Sequence, residues 1–374
     1  MKKILAIAIA AATLVSPLTT PANAKQTQHV EGSTYVVEGA KVHYHYSQIV
    51  GQLYEFNVAL PNSYWSEPER EYPVVYVLDG QWDFTLTSSI VGKTNYDGMI
   101  PDVITVAITW GGENDDPNML RNRDYVPSEF PFIPNTGGAE NFLAALEEEL
   151  IPYINSIYRN NDQAVLMGSS FGGLFTSYAM VEKPELFDGY IAMAAPYGLE
   201  APYFFSKLEE TRNSDHLNNI RAYFGAGTLD GNLESVNTFV EQLAAGNYPG
   251  FAFEHSTLEN MGHSAGSIAG YAEGLQYIFE RAELDLSSAI LNRYTGTYTS
   301  TFGPNFPPVS ISHSDGELIL HLPQQPPQTL SAQSETEFYV KGVNFNVTFE
   351  EQESGWAMTI NSQGNAFPFI QNTQ

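Results

Sequence analysis

"QAVLMGSSFGGLFTSYAMVEKP", residues 163–184, reads as a strand, a sharp turn and a helix in immediate succession. Ala164-Val165-Leu166-Met167 is the kind of apolar run that fills a strand buried on both faces. From Phe171 a helical stretch runs on until Pro184 ends it. Between them lies Gly168-Ser169-Ser170-Phe171-Gly172, with glycine two positions either side of Ser170, so the backbone can crowd around one serine and leave its hydroxyl accessible. A second match to Gly-x-Ser-x-Gly, Gly262-His263-Ser264-Ala265-Gly266, follows Leu258-Glu259-Asn260-Met261, which is polar and loop-like. Ser169 as the reacting serine would place Met167 and Phe171 where the turn needs glycine. Ser170 alone has both the strand and the glycines, and Ser264 is expected as a cap or early residue of the final helix.

Working outward from that turn, short apolar runs alternate with helical patterns, as a mostly parallel sheet covered by helices requires. "QLYEFNVALP" (52–61) alternates Tyr54, Phe56 and Val58 with Leu53, Glu55 and Asn57, and reads as an early antiparallel strand. "PVVYVLD" (73–79), "DVITVAITW" (102–110), "GYIAMAA" (189–195), "IRAYFG" (220–225) and "FAFEHS" (251–256) are further buried strands. "AENFLAALEEELIPYINSIYR" places Phe142, Leu143, Leu146, Leu150, Tyr153, Ile154 and Ile157 on one side of a helix that Pro152 should kink. Past "LQYIFERAELD" the texture changes to short alternating strands. "VNFNVTFE" sets Val343, Phe345, Val347 and Phe349 on one face, "SGWAMTIN" repeats the pattern, and turns fall at Asp315-Gly316 and Ser354-Gly355. The expected organisation is a signal segment over 1–24, an α/β domain over 25–285 with a mostly parallel central sheet flanked by helices, and a small all-β barrel or sandwich over 286–374.

A serine hydroxyl is scarcely ionised at neutral pH, so it needs an imidazole to take its proton and a carboxylate to hold that imidazole. Where the serine sits on a strand–turn–helix turn of this kind, these follow it on later strand ends, acid before histidine. "AGTLDGNLE" after one strand offers Asp230, with Glu234 as the alternative, whose competing role is to sit in the first turn of a helix. "TLENMGHS" after the next offers His263; His255 competes, but its alternation within "FAFEHS" puts it inside a strand. Had Ser264 been the nucleophile, its partners would have to come from the β segment, where His313 and His321 sit in hairpin strands. Charge developing on a substrate oxygen needs backbone donors already in place. The N–H of Phe171, next after Ser170, is one candidate, and the N–H of Gln81, in the loop after "VVYVLDG", is the other; Gly80 also reads as a plain turn glycine. "RNRDYVPSEFPFIPNTGG" (121–138) is the expected substrate-facing loop. Arg121 and Arg123 within it read either as an anchor for an anionic group or as internal partners of Asp124. Trp82 reads as the wall of an acyl or aryl pocket or as core packing.

Composition narrows the function further. The 374 residues carry a formal charge of −27, with 43% apolar residues and no cysteine. Such a surface suits neither nucleic acid nor anionic membrane, which demand a cationic footprint. Without cysteine there is no disulfide and no thiolate metal site. His43 and His45 share a strand face, which is two ligands at most, and no Asp-rich calcium loop or H-E-x-x-H occurs, so neither metal nor cofactor is expected. Lys2 and Lys3, the apolar run Ile4–Val15 and Ala22-Asn23-Ala24 read as a cleavable secretory signal, leaving a soluble product in the periplasm or outside the cell.

In order along the chain, "YPVVYVLDGQWDF", "RNRDYVPSE", "TGGAENFLAALEEELIPYI", "MGSSFGGLFTSYAMVEKPELFDGYIAMAAP", "FGAGTLDG" and "ENMGHSAG" resemble the putative-esterase family of α/β-hydrolases, whose relatives include siderophore esterases and S-formylglutathione hydrolases. The resemblance covers about residues 33–283. It implies a serine hydrolase acting on small-molecule esters or thioesters through an acyl-enzyme, with Ser170 as nucleophile, His263 as base and Asp230 as acid. Family members often carry glutamate at the acid position, and some siderophore esterases work without an acid. The last 85 residues resemble the small lipocalin-like β domains appended to some serine hydrolases. Alternatives within the class are a periplasmic esterase for catecholate trilactone siderophores and acyl transfer to an alcohol; outside it stands a silent hydrolase fold used as a binding module. Oligomeric state is not legible.

Overall fold

Two runs set the layer order: Tyr72–Val77 and Ile104–Trp110 are buried at every position, Thr105 and Thr109 included, so helices must cover both of their faces. In the computed structural model, which describes residues 37, 39–112, 116–303, 306–353, 355–362 and 364–372, they do. The signal-like segment 1–24 and the turn residue Ser354 lie outside the described residues. The sheet has the strands β1 (Lys41–Ser47), β2 (Gln52–Ala59), β3 (Tyr72–Val77), β4 (Ile104–Trp110), β5 (Asn160–Ser169), β6 (Gly189–Met193), β7 (Arg221–Gly227) and β8 (Ala252–Leu258). Their order is β1-β2-β4-β3-β5-β6-β7-β8; β1 and β2 are antiparallel, and the strands from β4 to β8 run parallel.

Alternate residues of β3 enter different layers. Val74 and Tyr76 face the helices α3 (Ala139–Ala145), α5 (Phe171–Glu182), α6 (Ala201–Glu210) and α7 (Leu233–Ala245), whereas Val75 and Val77 face α1 (Gly80–Tyr96) and α8 (Gly266–Ile278). Pro152 acts as expected but more gently than a kink: Leu146–Leu150 forms a π-helical turn before α4 (Ile151–Asn155), with the Ile151 N–H reaching back to Leu146 O. Ile157, expected on the apolar side, is exposed, and Tyr158 is buried instead, because α4 has ended before it.

After the one-turn helix α9 (Ser288–Leu291) comes an antiparallel meander. Its strands are β9 (Gly296–Ser300), β10 (Val309–Ser314), β11 (Glu317–His321), β12 (Gln328–Ala332), β13 (Glu337–Tyr339), β14 (Phe345–Gln352), β15 (Gly355–Ser362) and β16 (Asn365–Gln371). Pairing of β16 with β9 closes them into a barrel, which settles the choice between barrel and sandwich. Closure abolishes free edges, and the interior is filled by Tyr298, Leu318, Leu320, Val347, Met358 and their neighbours. Val343, expected to share the inward face of Phe345 and Val347, precedes β14 and is exposed. The barrel packs on the α/β layers within one compact unit, residues 37–374. At Gly98, φ +69°, a Cβ would come within 2.7 Å of Val343 O, so only glycine admits that approach.

Candidate active site

The sheet order reverses between β3 and β5, and loops leaving neighbouring strands there diverge to open a crevice at their carboxyl ends. Ser170 sits in it. Strand β5 ends at Ser169 and α5 begins at Phe171, so one residue makes the whole turn, at φ 58° and ψ −122°, a strained conformation for a residue with a Cβ. The turn is held by the Ser170 N–H to Met193 O at 2.9 Å and by glycines that nothing else could replace: a Cβ on Gly168 would lie 2.6 Å from the Gly172 backbone, and one on Gly173 2.6 Å from Met193 O.

Two strands along, the loops after β7 and β8 are zipped together. Thr228 N–H donates to Leu258 O at 2.9 Å, Leu229 N–H to Met261 O at 2.9 Å, and Asn260 N–H to Thr228 Oγ1 at 2.8 Å. Gly227 makes the approach possible, since a Cβ there would lie 2.0 Å from Met261 O. The result brings His263 Nδ1 to 3.1 Å from both Asp230 carboxylate oxygens. The Asp230 side chain is 2% exposed and that of His263 45%, so the carboxylate is buried while the ring stays accessible. Asn232 N–H donates to Asp230 Oδ1 at 2.9 Å, and Asn232 Nδ2 to Ala194 O at 2.9 Å, tying the acid's loop to the strand end that holds Ser170. Asn232 and Gly227 carry no chemical signature in sequence; only a pairing register could have found them.

Glu234 lies in the first turn of α7, away from the imidazole's hydrogen bonds. His255 lies within β8, its ring held below the ordinary histidine pKa by burial, with Nε2 buried and unpartnered. Ser264 is in the exposed turn before α8, whose cap position is Ala265; its carbonyl accepts from Ser267 Oγ at 2.8 Å, so it is neither cap nor helical residue. His313 and His321 bond Asn292 and Ser312 in the barrel. His43 and His45 pack against Tyr153 and Tyr158, and no cluster of three metal-ligating side chains occurs among the described residues.

Phe171 and Gln81 occupy the first turns of α5 and α1, where N–H groups lack helical acceptors and can face a ligand. The loop before Gln81 differs from expectation in one respect. Asp79, not Gly80, takes the left-handed conformation, φ 56°, while Gly80 is needed for close packing, since a Cβ there would lie 3.0 Å from Ala107 and Ile108 backbone atoms. Gln81 Oε1 accepts from Thr109 Oγ1 at 2.7 Å, which steadies the turn. The first five residues of the expected loop 121–138 are helical: Asp116 caps α2 (Pro117–Tyr125) by accepting from Asn118 N–H at 2.9 Å. Both arginines on it hold carboxylates. Arg123 Nε bonds Asp124 at 2.7 Å, as the bracing alternative had it, and Asp124 also accepts from Tyr54 Oη and Trp110 Nε1. Arg121 pairs instead with Asp79, Nε to Oδ1 at 2.7 Å. Trp82 is 54% exposed, which removes the core alternative.

Behind this loop Tyr271 Oη donates to Asp83 Oδ2 at 2.8 Å, joining α8 to α1. Burial pushes the Asp83 carboxyl up to about 6, the Tyr271 hydrogen bond pulls against it, and the charge of Asp79 adds to it. A carboxyl whose pKa rises on folding stabilises the fold in its protonated form. That contribution is complete below the ordinary value of 3.8 and lost as pH rises through about 6. Asp83→Asn keeps an acceptor for Tyr271 without the charge. It should therefore unfold about 1–3 kcal/mol later than the parent at pH 8, the difference closing by pH 4. Denaturant titrations at both pH values check this; an equal difference at each would contradict it.

Comparison with known proteins agrees with the architecture. The model of the family described as "Putative esterase" matches residues 47–255, more than half the chain, which takes in Ser170 and Asp230 and stops short of His263. Ferri-bacillibactin esterase BesA of Bacillus subtilis is 27% identical over 263 residues, covering 63% of this chain and 89% of that protein. The siderophore enterobactin esterase of Emericella nidulans is 26% identical over 167 residues, covering 39% of this chain and 55% of its own. Among solved structures, the IroE-like serine hydrolase of Shewanella oneidensis superposes with a TM-score of 0.58 at 26% identity, over 68% of this chain and 85% of that one. The BES protein of Bacillus cereus gives 0.59 at 24% identity, over 67% and 98%, a likeness of fold.

Proposed function

This chain belongs to the putative esterase family and is a carboxylic ester hydrolase, and from that premise we propose that it is an exported serine esterase working through Ser170, His263 and Asp230. The observation that carries the reading is the strained Ser170 turn at the end of β5 together with a histidine held by a buried carboxylate at the ends of β7 and β8. Ser170 Oγ attacks the ester carbonyl carbon as His263 Nε2 takes its proton, and Asp230 on Nδ1 keeps the ring in that tautomer and stabilises the imidazolium. The carbonyl oxygen becomes an oxyanion between the N–H groups of Phe171 and Gln81. As the carbon–oxygen bond to the leaving alkoxide breaks, the imidazolium protonates the alkoxide. Water, deprotonated by the same imidazole, then attacks the acyl carbon, the bond to Ser170 Oγ breaks, and the imidazolium returns its proton to Ser170 as the acid leaves. Thioesters would follow the same path, with a thiol leaving.

Export rests on the sequence of residues 1–24, and the division into a catalytic domain over 25–285 and an accessory β domain over 286–374 on the change of texture and the barrel. Trp82 is proposed as an aromatic wall for the small-molecule substrate, and Arg121 and Arg123, each held by a carboxylate, as residues that shape its site. The names of the relatives in Bacillus subtilis and Emericella nidulans favour a siderophore ester as the natural substrate. The test exposes purified protein to a fluorophosphonate probe, to short-chain aryl esters and thioesters, and to iron-loaded and iron-free catecholate trilactones. Covalent labelling is expected, and a kcat/KM for a trilactone about tenfold or more above that for aryl esters. No labelling would sink the enzyme mechanism in favour of a silent binding module; labelling with preference for simple esters would sink the siderophore substrate alone.

A further inference from the structure

Arg121 is only 14% exposed, and it touches both loops that carry the proposed oxyanion donors. Its Nε donates to Asp79 Oδ1 at 2.7 Å and its Nη2 to Ser169 O at 3.1 Å. Asp79 stands two residues before Gln81, and Ser169 two before Phe171. The last sheet bond between these chain segments is Leu78 N–H to Met167 O, at 3.0 Å; beyond it the loops part, and Arg121 spans them from α2.

Both ends of that bridge are held. Asp79 is held in its left-handed turn, with its N–H donating to Tyr125 Oη at 3.1 Å, from the last residue of α2. Its other carboxylate oxygen lies against the first turn of α5, 3.1 Å from where a Gly172 Cβ would be, so the Gly172 backbone makes room for it. The guanidinium is boxed by the rings of Phe171, Tyr125 and Trp82, with centroids 5.2, 5.8 and 5.9 Å away. A planar fork suits this position because it can serve a carboxylate and a carbonyl at once, which a point charge cannot.

We infer that Arg121 is a positioning residue, not a ligand for substrate: with Asp79 it ties the Gln81 loop to the Ser170 turn and so holds the two oxyanion donors in register. The inference rests on the oxyanion reading above and deepens it. Two physical effects follow from the arrangement. A donor displaced by about 1 Å loses on the order of 10²-fold in rate even when substrate still binds. And with Arg121 gone, the Asp79 carboxylate would stand uncompensated beside a developing negative charge.

The test compares the parent with Arg121→Met, Arg121→Lys, Asp79→Asn and the double variant Asp79→Asn/Arg121→Met. Arg159→Met serves as control: it removes an arginine stacked 3.9 Å over Tyr64 at the opposite end of β5. Arg121→Met is expected to lower kcat for an aryl ester by about 10²-fold with KM within about threefold, and to weaken an aryl boronic acid, which binds as a tetrahedral anion, in proportion to kcat/KM. Lysine should not restore the rate, whereas the double variant should recover part of the loss because no unpaired carboxylate remains. Arg159→Met should lower the melting temperature without moving kcat or boronate affinity. A rise in KM at unchanged kcat would make Arg121 a substrate anchor and overturn the inference. So would a loss in kcat with boronate affinity intact, or a double variant worse than Arg121→Met. A parent that neither hydrolyses esters nor takes the fluorophosphonate removes the esterase mechanism itself, and this inference with it.

Discussion

Ser170→Ala is expected to abolish ester hydrolysis and fluorophosphonate labelling together, a fall of about 10⁴- to 10⁶-fold in kcat, while Ser264→Ala leaves both within about twofold. The two serines share a five-residue pattern, so the experiment separates context from spelling. Ser170 is the single residue between a buried strand and a helix, whereas Ser264 lies in an exposed turn with its carbonyl, not its hydroxyl, engaged. A further variant reads the strain. At φ 58° and ψ −122° alanine suffers the same steric conflict as serine, but glycine does not. Ser170→Gly should therefore be as inactive as Ser170→Ala yet more stable by about 1–2 kcal/mol, after the larger chain entropy of unfolded glycine is subtracted. Calorimetry of the two inactive proteins isolates the backbone from the chemistry. Residual turnover in Ser170→Ala, or its loss in Ser264→Ala, would reassign the nucleophile.

The strands were legible because burial on both faces leaves only apolar residues, and β3, β4, β6 and β7 fall within a residue or two of the runs that announced them. The Ser170 turn was legible for a different reason: its glycines answer a steric demand that no other residue meets, as the 2.6 Å approaches at Gly168 and Gly173 display. What stayed hidden were contacts between segments far apart in the chain. Arg121 and Asp79 are 42 residues apart, and nothing local distinguishes an arginine that reaches a buried carboxylate from one that meets an anion in solvent. Asp124, three residues on and on the same helix face, was the obvious partner of Arg121, but Asp124 is taken by the adjacent Arg123, by Tyr54 and by Trp110, and Arg121 reaches Asp79 instead. The capping signal Asp116-Pro117 was present and would have turned the start of the expected loop into α2. Likewise a proline in "EELIPYI" forecast a break, while the π-turn found just before it leaves no separate signal in the sequence.

Asp230→Asn should lower kcat by about 10³- to 10⁴-fold with little change in KM, and Glu234→Gln should change neither by more than about twofold. Both carboxylates follow the same strand, four residues apart, so their difference is one of geometry. Asp230 sits where its loop is fastened on two sides: to the His263 loop through Thr228 and Leu229, and to the end of β6 through Asn232. Its two oxygens face the same imidazole nitrogen at 3.1 Å. Asparagine fits that space but can present an amide N–H to Nδ1. The ring would then accept there and carry its proton on Nε2, the nitrogen that must receive the proton of Ser170. The loss is thus a loss of the right tautomer and of charge stabilisation for the imidazolium, not of binding. Glu234 instead contributes a negative charge at the N-terminus of α7, worth about 0.3–1 kcal/mol to the helix. Steady-state kinetics on an aryl ester with both variants decides between them. A fall in Glu234→Gln comparable to that in Asp230→Asn would mean that the loop rearranges in the working enzyme to exchange one acid for the other. The bonds through Thr228, Leu229 and Asn232 argue against that, because such an exchange would have to break them together.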